Sequence, residues 1–191
     1  MNKDLFFLGI QWCGKWTQID LLLKDFGDQY DYLEMGKLFR AIMSNDNIIG
    51  NFCRNMVNKG ELVDHFISHD WFHTALQIVK KNNVGLITDG FPRAMEQAEF
   101  MTKKMSEYNR DFIVIHFELS KEKALERMMK RAGIEGREDD TPAAMEVRIN
   151  AFMNETMPVI KHFESLGKVI TINADDTIEN IQADLRAKLG L

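Results

Sequence analysis

Basic charge is in short supply in this chain: 24 Lys and Arg stand against 29 Asp and Glu, for a formal net charge of −5. That balance argues against wholesale binding to nucleic acid, which needs a basic face, so any anion must be gripped by a local cluster. Cysteine is scarce as well. Cys13 and Cys53 form neither a metal-ligand spacing nor a disulfide framework, which suits a reducing compartment. No apolar run approaches the roughly 20 residues of a membrane span. The opening MNKDLFFLGIQW also lacks a long apolar stretch before a small-residue cleavage site. No membrane association and a cytoplasmic location are therefore expected. Internal repeats, heptad runs and low-complexity linkers are missing too. At 191 residues and 45% hydrophobic content, the chain can bury one substantial core, which suggests one domain with small inserted lobes.

Five apolar runs read as strands: Asp4 to Ile10, Tyr30 to Met35, Val84 to Thr88, Phe112 to Leu119 and Val169 to Asn173. Helical spacing fills the intervals, over Lys15 to Phe26, Gly36 to Met43, Asn47 to Asn58, Asp70 to Asn82, Arg93 to Tyr108, Lys121 to Ala132, Thr141 to Leu166 and Thr177 to Leu189. Ser120 and the Asp140–Thr141 pair, with Pro142 in the first turn, are credible helix starts. Strands alternating with helices predict an α/β fold with a five-stranded parallel sheet covered on both faces. The stretch from Gly36 to about Ile67 is long enough for a small helical lobe, and Ala132 to Asp140 reads as a short loop.

After the first strand comes Gly9-Ile-Gln-Trp-Cys-Gly14-Lys15-Trp16-Thr17, which matches the G-x-x-x-x-G-K part of a phosphate-binding loop in the required strand-to-helix context. Such a loop points consecutive backbone N–H groups and a helix N-terminus at phosphate, and its Lys supplies a mobile positive charge. The last letter fails, because Trp16 stands where Ser or Thr is wanted and the hydroxyl arrives one residue late at Thr17. Taken alone, the motif leaves a chance strand-turn-helix open. Arg127, Arg131, Arg137 and Arg148 gather in one later stretch and form the local basic cluster that the acidic chain requires. Guanidinium suits phosphate because its planar fork bonds two oxygens at once.

Taken with the rest of the chain, these residues resemble the adenylate kinases, whose loop has the form G-x-x-G-x-G-K-G-T-Q. Gly9, Gly14, Lys15, Thr17 and Gln18 match it. The third strand runs into Asp89-Gly90-Phe91-Pro92-Arg93, with Gln97 four residues on, similar to D-G-F-P-R-x-x-x-Q. Arg127 to Arg131, Gly136-Arg137-Glu-Asp139-Asp140 and Arg148 resemble the R-x-x-x-R, G-R-x-D-D and helical Arg of the short-lid form. The resemblance implies a P-loop NTPase-like fold with a lobe that binds nucleoside monophosphate over about 36–67 and a short lid over about 132–140. It implies reversible phosphoryl transfer from Mg²⁺·ATP to AMP by a monomer. It further implies that Lys15, Arg127, Arg131, Arg137 and Arg148 are catalytic, and that ATP is held by Gly9, Cys13, Gly14, Lys15, Trp16, Thr17, Arg127 and Arg131. AMP would be held by Met35, Gly36, Arg40, Gly90, Arg93, Gln97, Arg137 and Arg148, with Gln97 suited to the adenine edge. Asp89 is expected to orient water on Mg²⁺, with a plain helix-capping role as the alternative. Asp139 and Asp140 could cap the helix at Thr141 or tie down arginines. His65, His69 and His73 are expected to be surface residues, because Ser68, His69 and Asp70 look like a helix boundary.

Two departures fall in the loop itself. Trp12 and Trp16 both occupy glycine positions of the family pattern, where the backbone must approach phosphate closely and can need positive φ. The loop as written should be impaired, and a catalytically dead, nucleotide-binding or scaffold protein is one alternative. A single hypothesis accounts for both: the source genome reads UGA as glycine, and these codons stand here as tryptophan. On the acceptor side Met35 and Lys37 replace a Thr and an Asp of the pattern, so a UMP/CMP kinase is the other alternative, although Gln97 favours AMP.

Overall fold

A computed structural model describes residues 3–59, 61–135 and 142–191, with side chains described outside 131–144. The five expected strands form one parallel sheet in the order β2-β3-β1-β4-β5. They are β1 (Asp4–Gly9), β2 (Tyr30–Glu34), β3 (Gly85–Asp89), β4 (Phe112–Glu118) and β5 (Val169–Asn173). β1 and β4 are almost wholly buried, as strands covered on both faces must be, and this explains their near-continuous apolar runs. Phe6, Phe7, Val114, Ile115 and Phe117 are fully buried at the centre of the core.

The helices are α1 (Lys15–Phe26), α2 (Met35–Met43), α3 (Ile48–Val57), α4 (His65–Asn82), α5 (Met95–Glu107), α6 (Lys121–Glu135), α7 (Pro142–Ala151), α8 (Met157–Ser165) and α9 (Ile178–Leu189). None of the described helices is long and apolar enough to cross a membrane. A second apolar cluster of Cys53, Val63 and Ile67, flanked by Phe39, Ile42, Met56 and Trp71, joins α2, α3 and the start of α4. It gives the stretch between β2 and β3 packing of its own.

Four helix boundaries differ from the sequence expectation by two residues or more. α6 runs on to Glu135, into the stretch from Ala132 expected to be loop. α4 starts at His65, not Asp70: Asp64 caps it by accepting the Phe66 N–H, and Ser68 turns its hydroxyl back to the His65 carbonyl from inside the helix. The three histidines therefore share one helix. α5 starts at Met95, because Gln97 Oε1 accepts the Arg93 N–H and holds Arg93 outside the helix. The helix expected over Thr141 to Leu166 is interrupted by a π-helical turn at Phe152–Thr156. Pro158 lacks an N–H, and its ring would crowd the carbonyl of Asn154 in an α-helical ladder; the wider turn relieves this.

One buried ion pair locks the amino edge of the sheet. Asp4 is fully buried and receives Arg110 Nε and Nη2 at 2.6 Å each, while its Oδ1 also accepts the Leu86 N–H at 2.7 Å. Arg110 in turn donates to the Val84 carbonyl at 2.8 Å. Removing one partner of such a pair strands the other charge. Asp4→Ala should lower unfolding free energy by about 3 to 5 kcal/mol in urea titrations.

Candidate active site

Gly9 ends β1, and the chain turns through Gly14, at φ +95°, into α1. No side chain caps α1, so its first N–H groups are left to a ligand. Lys15 opens the helix with its ammonium turned back into the loop, 3.0 Å from Gly9 O, 3.4 Å from Ile10 O and 3.6 Å from Cys13 Sγ. The loop thus wraps a positive charge and presents a helix N-terminus, as anion binding demands. Cys13 is buried, and that burial pushes its thiol pKa up despite the nearby Lys15 charge. It is no nucleophile. Thr17 lies half-buried in the first turn, and Gln18 Nε2 ties α1 to α9 through the Ile178 carbonyl at 3.1 Å.

Trp12 sits in this loop at φ +64°, and Trp16, the second residue of α1, is 58% exposed. Left-handed backbone costs a residue with a side chain roughly 1–2 kcal/mol, so position 12 has the conformation of a glycine and the side chain of a tryptophan. Trp71 is different. It lies inside α4, with its ring 4.7 Å from that of Phe39.

The α6 residue Arg127 reaches the loop. Its Nη1 donates to Cys13 O at 3.3 Å and its Nη2 to Ala174 O at 2.8 Å, with Asp175 3.9 Å away. On the other side of β1, the carboxyl ends of β2 and β3 align, with Glu34 opposite Asp89. Arg40 from α2 is held by Glu34 Oε1 at 2.9 Å. Arg93 follows β3 and feels Asp89, Arg148 and Arg40: burial depresses its guanidinium pKa, Asp89 opposes this, and the two other arginines add to it. Asp89 also raises the pKa values of Cys13 and Tyr32, behind the dominant effect of their burial, so its charge is felt by the loop as well as by Arg93. Arg93, in electrostatic range of both Arg40 and Arg148, adds a concentration of guanidinium charge suited to a multiply charged anion.

Arg93 is set from both sides. Thr156, in the π-helical turn, donates its hydroxyl to Arg93 O at 3.0 Å. Gly90, at φ +84°, leaves room that a Cβ would take 2.7 Å from Arg93 Nη2. Gly36 is similarly close to Arg40, 3.1 Å from Nη1. Met35 is buried in the core and offers the site no polar group. Gln97 is 4% exposed and bonds the Arg93 backbone, Ser68 and His65. The Arg131 side chain, together with Arg137, Asp139, Asp140 and most of the expected lid, lies outside the described residues.

Reading the sequence missed Glu34, Thr156 and the His65–Ser68 contacts. Glu34, one residue before the Met-Gly pair and six before Arg40, was a usable signal; Thr156 was not, because only the π-helical turn brings it to Arg93. The three histidines expected at the surface are all half-buried: His65 meets Gln97, His69 stacks on Phe100 at 4.0 Å and His73 meets the Tyr108 hydroxyl at 3.0 Å. Among the described residues no group of three His, Cys, Asp or Glu could hold a metal.

A five-stranded parallel sheet with a glycine-lysine loop after β1 and arginines at its carboxyl edge defines a P-loop nucleotide-binding fold. The adenylate kinase family model matches residues 7–168, and the chain belongs to that family. It is accordingly a nucleoside monophosphate kinase, a transferase. An adenylate kinase of Prochlorococcus marinus is 32% identical over 195 residues, covering all of both chains. A uridylate kinase of Saccharomyces cerevisiae is 30% identical, covering 95% of this chain and 88% of its own. A UMP-CMP kinase of Lentinula edodes is also 30% identical, covering 97% and 85%.

Gly90→Ala tests the arginine cluster. The left-handed backbone should cost about 1–2 kcal/mol of stability, and the new methyl should push the Arg93 guanidinium aside. Binding of inorganic pyrophosphate, followed by calorimetry, should weaken at least tenfold; unaltered binding would show that Arg93 does not face the anion.

Proposed function

We propose that the chain catalyses reversible phosphoryl transfer from Mg²⁺·ATP to AMP, giving two ADP. The observation that carries this reading is the loop closed around Lys15 and Arg127, together with an Arg93 guanidinium that senses the charges of Asp89, Arg40 and Arg148. An oxygen of the AMP phosphate attacks the γ-phosphorus while the bond to the departing ADP oxygen breaks. Little covalent help is needed, because positioning and neutralisation of spread negative charge dominate the catalysis.

Lys15, the first N–H groups of α1 and Arg127 hold the donor phosphates, with Gly9, Cys13, Gly14, position 16 and Thr17 forming the cradle. Arg40 and Arg93 hold the acceptor phosphate, flanked by Met35, Gly36 and Gly90. Arg148, with Arg131 and Arg137, completes the charge around the transferring group. Gln97 lies on the base side of Arg93. The donor set fits Mg²⁺: one half-buried carboxylate, Asp89, at a strand end suits an ion that keeps several waters and takes its other ligands from phosphate. When bound, the ion neutralises charge on the donor phosphates. Lobe and lid closure excludes water, which would otherwise compete as acceptor. A cytoplasmic monomer without nucleic-acid partners is the setting we assign.

The working protein, in this reading, carries glycine at positions 12 and 16. The left-handed backbone at Trp12 and the exposure of Trp16 both support it, whereas Trp71 packs like a true tryptophan. UGA codons at 12 and 16 with UGG at 71 are expected in the gene, and UGG at all three would refute the recoding. The names of two relatives favour UMP or CMP as the acceptor instead, and the two indoles favour a catalytically silent relative.

ADP formation from ATP and AMP with Mg²⁺ discriminates these readings. The Trp12→Gly, Trp16→Gly double variant should turn over AMP at least a hundredfold faster than the chain as written. Preference for UMP or CMP would reassign the acceptor. A double variant inactive on every monophosphate would leave the silent relative as the better reading.

A further inference from the structure

Gln97, the residue placed to read the acceptor's base, has already committed its amide inside the protein. Its Oε1 accepts the Arg93 N–H at 2.7 Å, which fixes the amide's orientation. Its Nε2 then faces Ser68 Oγ and His65 Nδ1, each at 3.1 Å. Ser68 gives its own proton to the His65 carbonyl at 2.9 Å, so its oxygen accepts from the amide. An amide nitrogen has two protons, and both are taken. His65 must accept at Nδ1, which puts its proton on Nε2, facing Glu96 Oε2 at 3.7 Å.

Exposure points the same way. Gln97 is 4% exposed. His65 instead lines a groove of about 490 Å³ with Leu62, Ala94 and Val147, between the start of α4 and α7. The imidazole therefore bonds the buried amide on one side and lines this groove on the other.

We propose that His65 is a positioning residue that sets acceptor-base selectivity: it withholds a Gln97 N–H, so that an amino purine is read only when His65 gives up its bond. The inference rests on the acceptor assignment of Gln97 and Arg93. A released amide offers a donor beside an acceptor lone pair. Adenine matches this with its N1 acceptor and 6-amino donor, and hypoxanthine, of the same size, presents N1–H and a 6-oxo group. In the chain as it stands, AMP must offset the lost His65 bond, and the advantage of the amino purine shrinks by about the worth of one hydrogen bond.

Calorimetric binding of AMP, IMP and ribose 5-phosphate to the full chain, His65→Ala and His65→Asn tests this without requiring turnover. The parent should bind AMP and IMP within a few fold of each other. His65→Ala should widen the AMP-over-IMP ratio about tenfold, one hydrogen bond's worth, with ribose 5-phosphate binding unchanged. His65→Asn, whose Oδ1 can accept as Nδ1 does, should restore the parent ratio. Ser68→Ala frees only the N–H on the buried side, away from the groove, and should leave the ratio at the parent value. A ratio unmoved by His65→Ala, or one equally wide in His65→Asn or Ser68→Ala, overturns the proposal while leaving the acceptor site standing. If neither nucleotide nor ribose 5-phosphate binds the parent, the acceptor assignment falls and this inference falls with it.

Discussion

Mutual repulsion among guanidinium groups is the constraint around which this molecule is arranged. Arg40, Arg93 and Arg148 come from three different segments, and Arg93 feels both of the others. Left to itself, such a cluster would spread into solvent. Two of the cations are visibly tethered: Arg40 by Glu34, and Arg93 through its backbone, by Gln97 on its N–H and by Thr156 on its carbonyl, with the Asp89 charge favouring its ionised form. An entering phosphate group relieves the repulsion, so binding free energy is stored in the fold before the ligand arrives.

The sheet makes this arrangement stable. β1 is paired on both sides and buried, and its carboxyl end releases the loop between the donor and acceptor groups. The Asp4–Arg110 pair locks the opposite edge, so the strand ends are fixed relative to one another. The loop itself is built from backbone geometry more than from side chains. For that reason Trp12 is in conflict with its own conformation, since its φ suits a glycine.

On the acceptor side, polar satisfaction decides the geometry. Gln97 is buried, and a buried amide must find partners. His65 and Ser68 supply them here, and the same bonds tie the start of α4 to α5. In the role proposed for Gln97, stability and selectivity share this hydrogen-bond set, so that changing His65 touches both.

The amino-acid sequence by itself determined the five strands, their alternation with helices, the loop around Lys15 and the D-G-F-P-R turn, because these depend on local periodicity and on short runs of fixed spacing. β5 and α1 were legible to the residue. Helix boundaries were less legible, although the contacts that set them are local: Asp64 on the Phe66 N–H, Gln97 on the Arg93 N–H and Pro158 against the carbonyl four residues back. Each of these side chains could equally have bonded elsewhere, so residue type alone did not fix the boundary. Only the tertiary structure decided that His65 bonds Gln97, that Glu34 holds Arg40, and that Thr156 reaches Arg93, 63 residues away along the chain. Residue type records what a side chain can bond, and the packing of helices onto the sheet decides which partner lies within 3 Å.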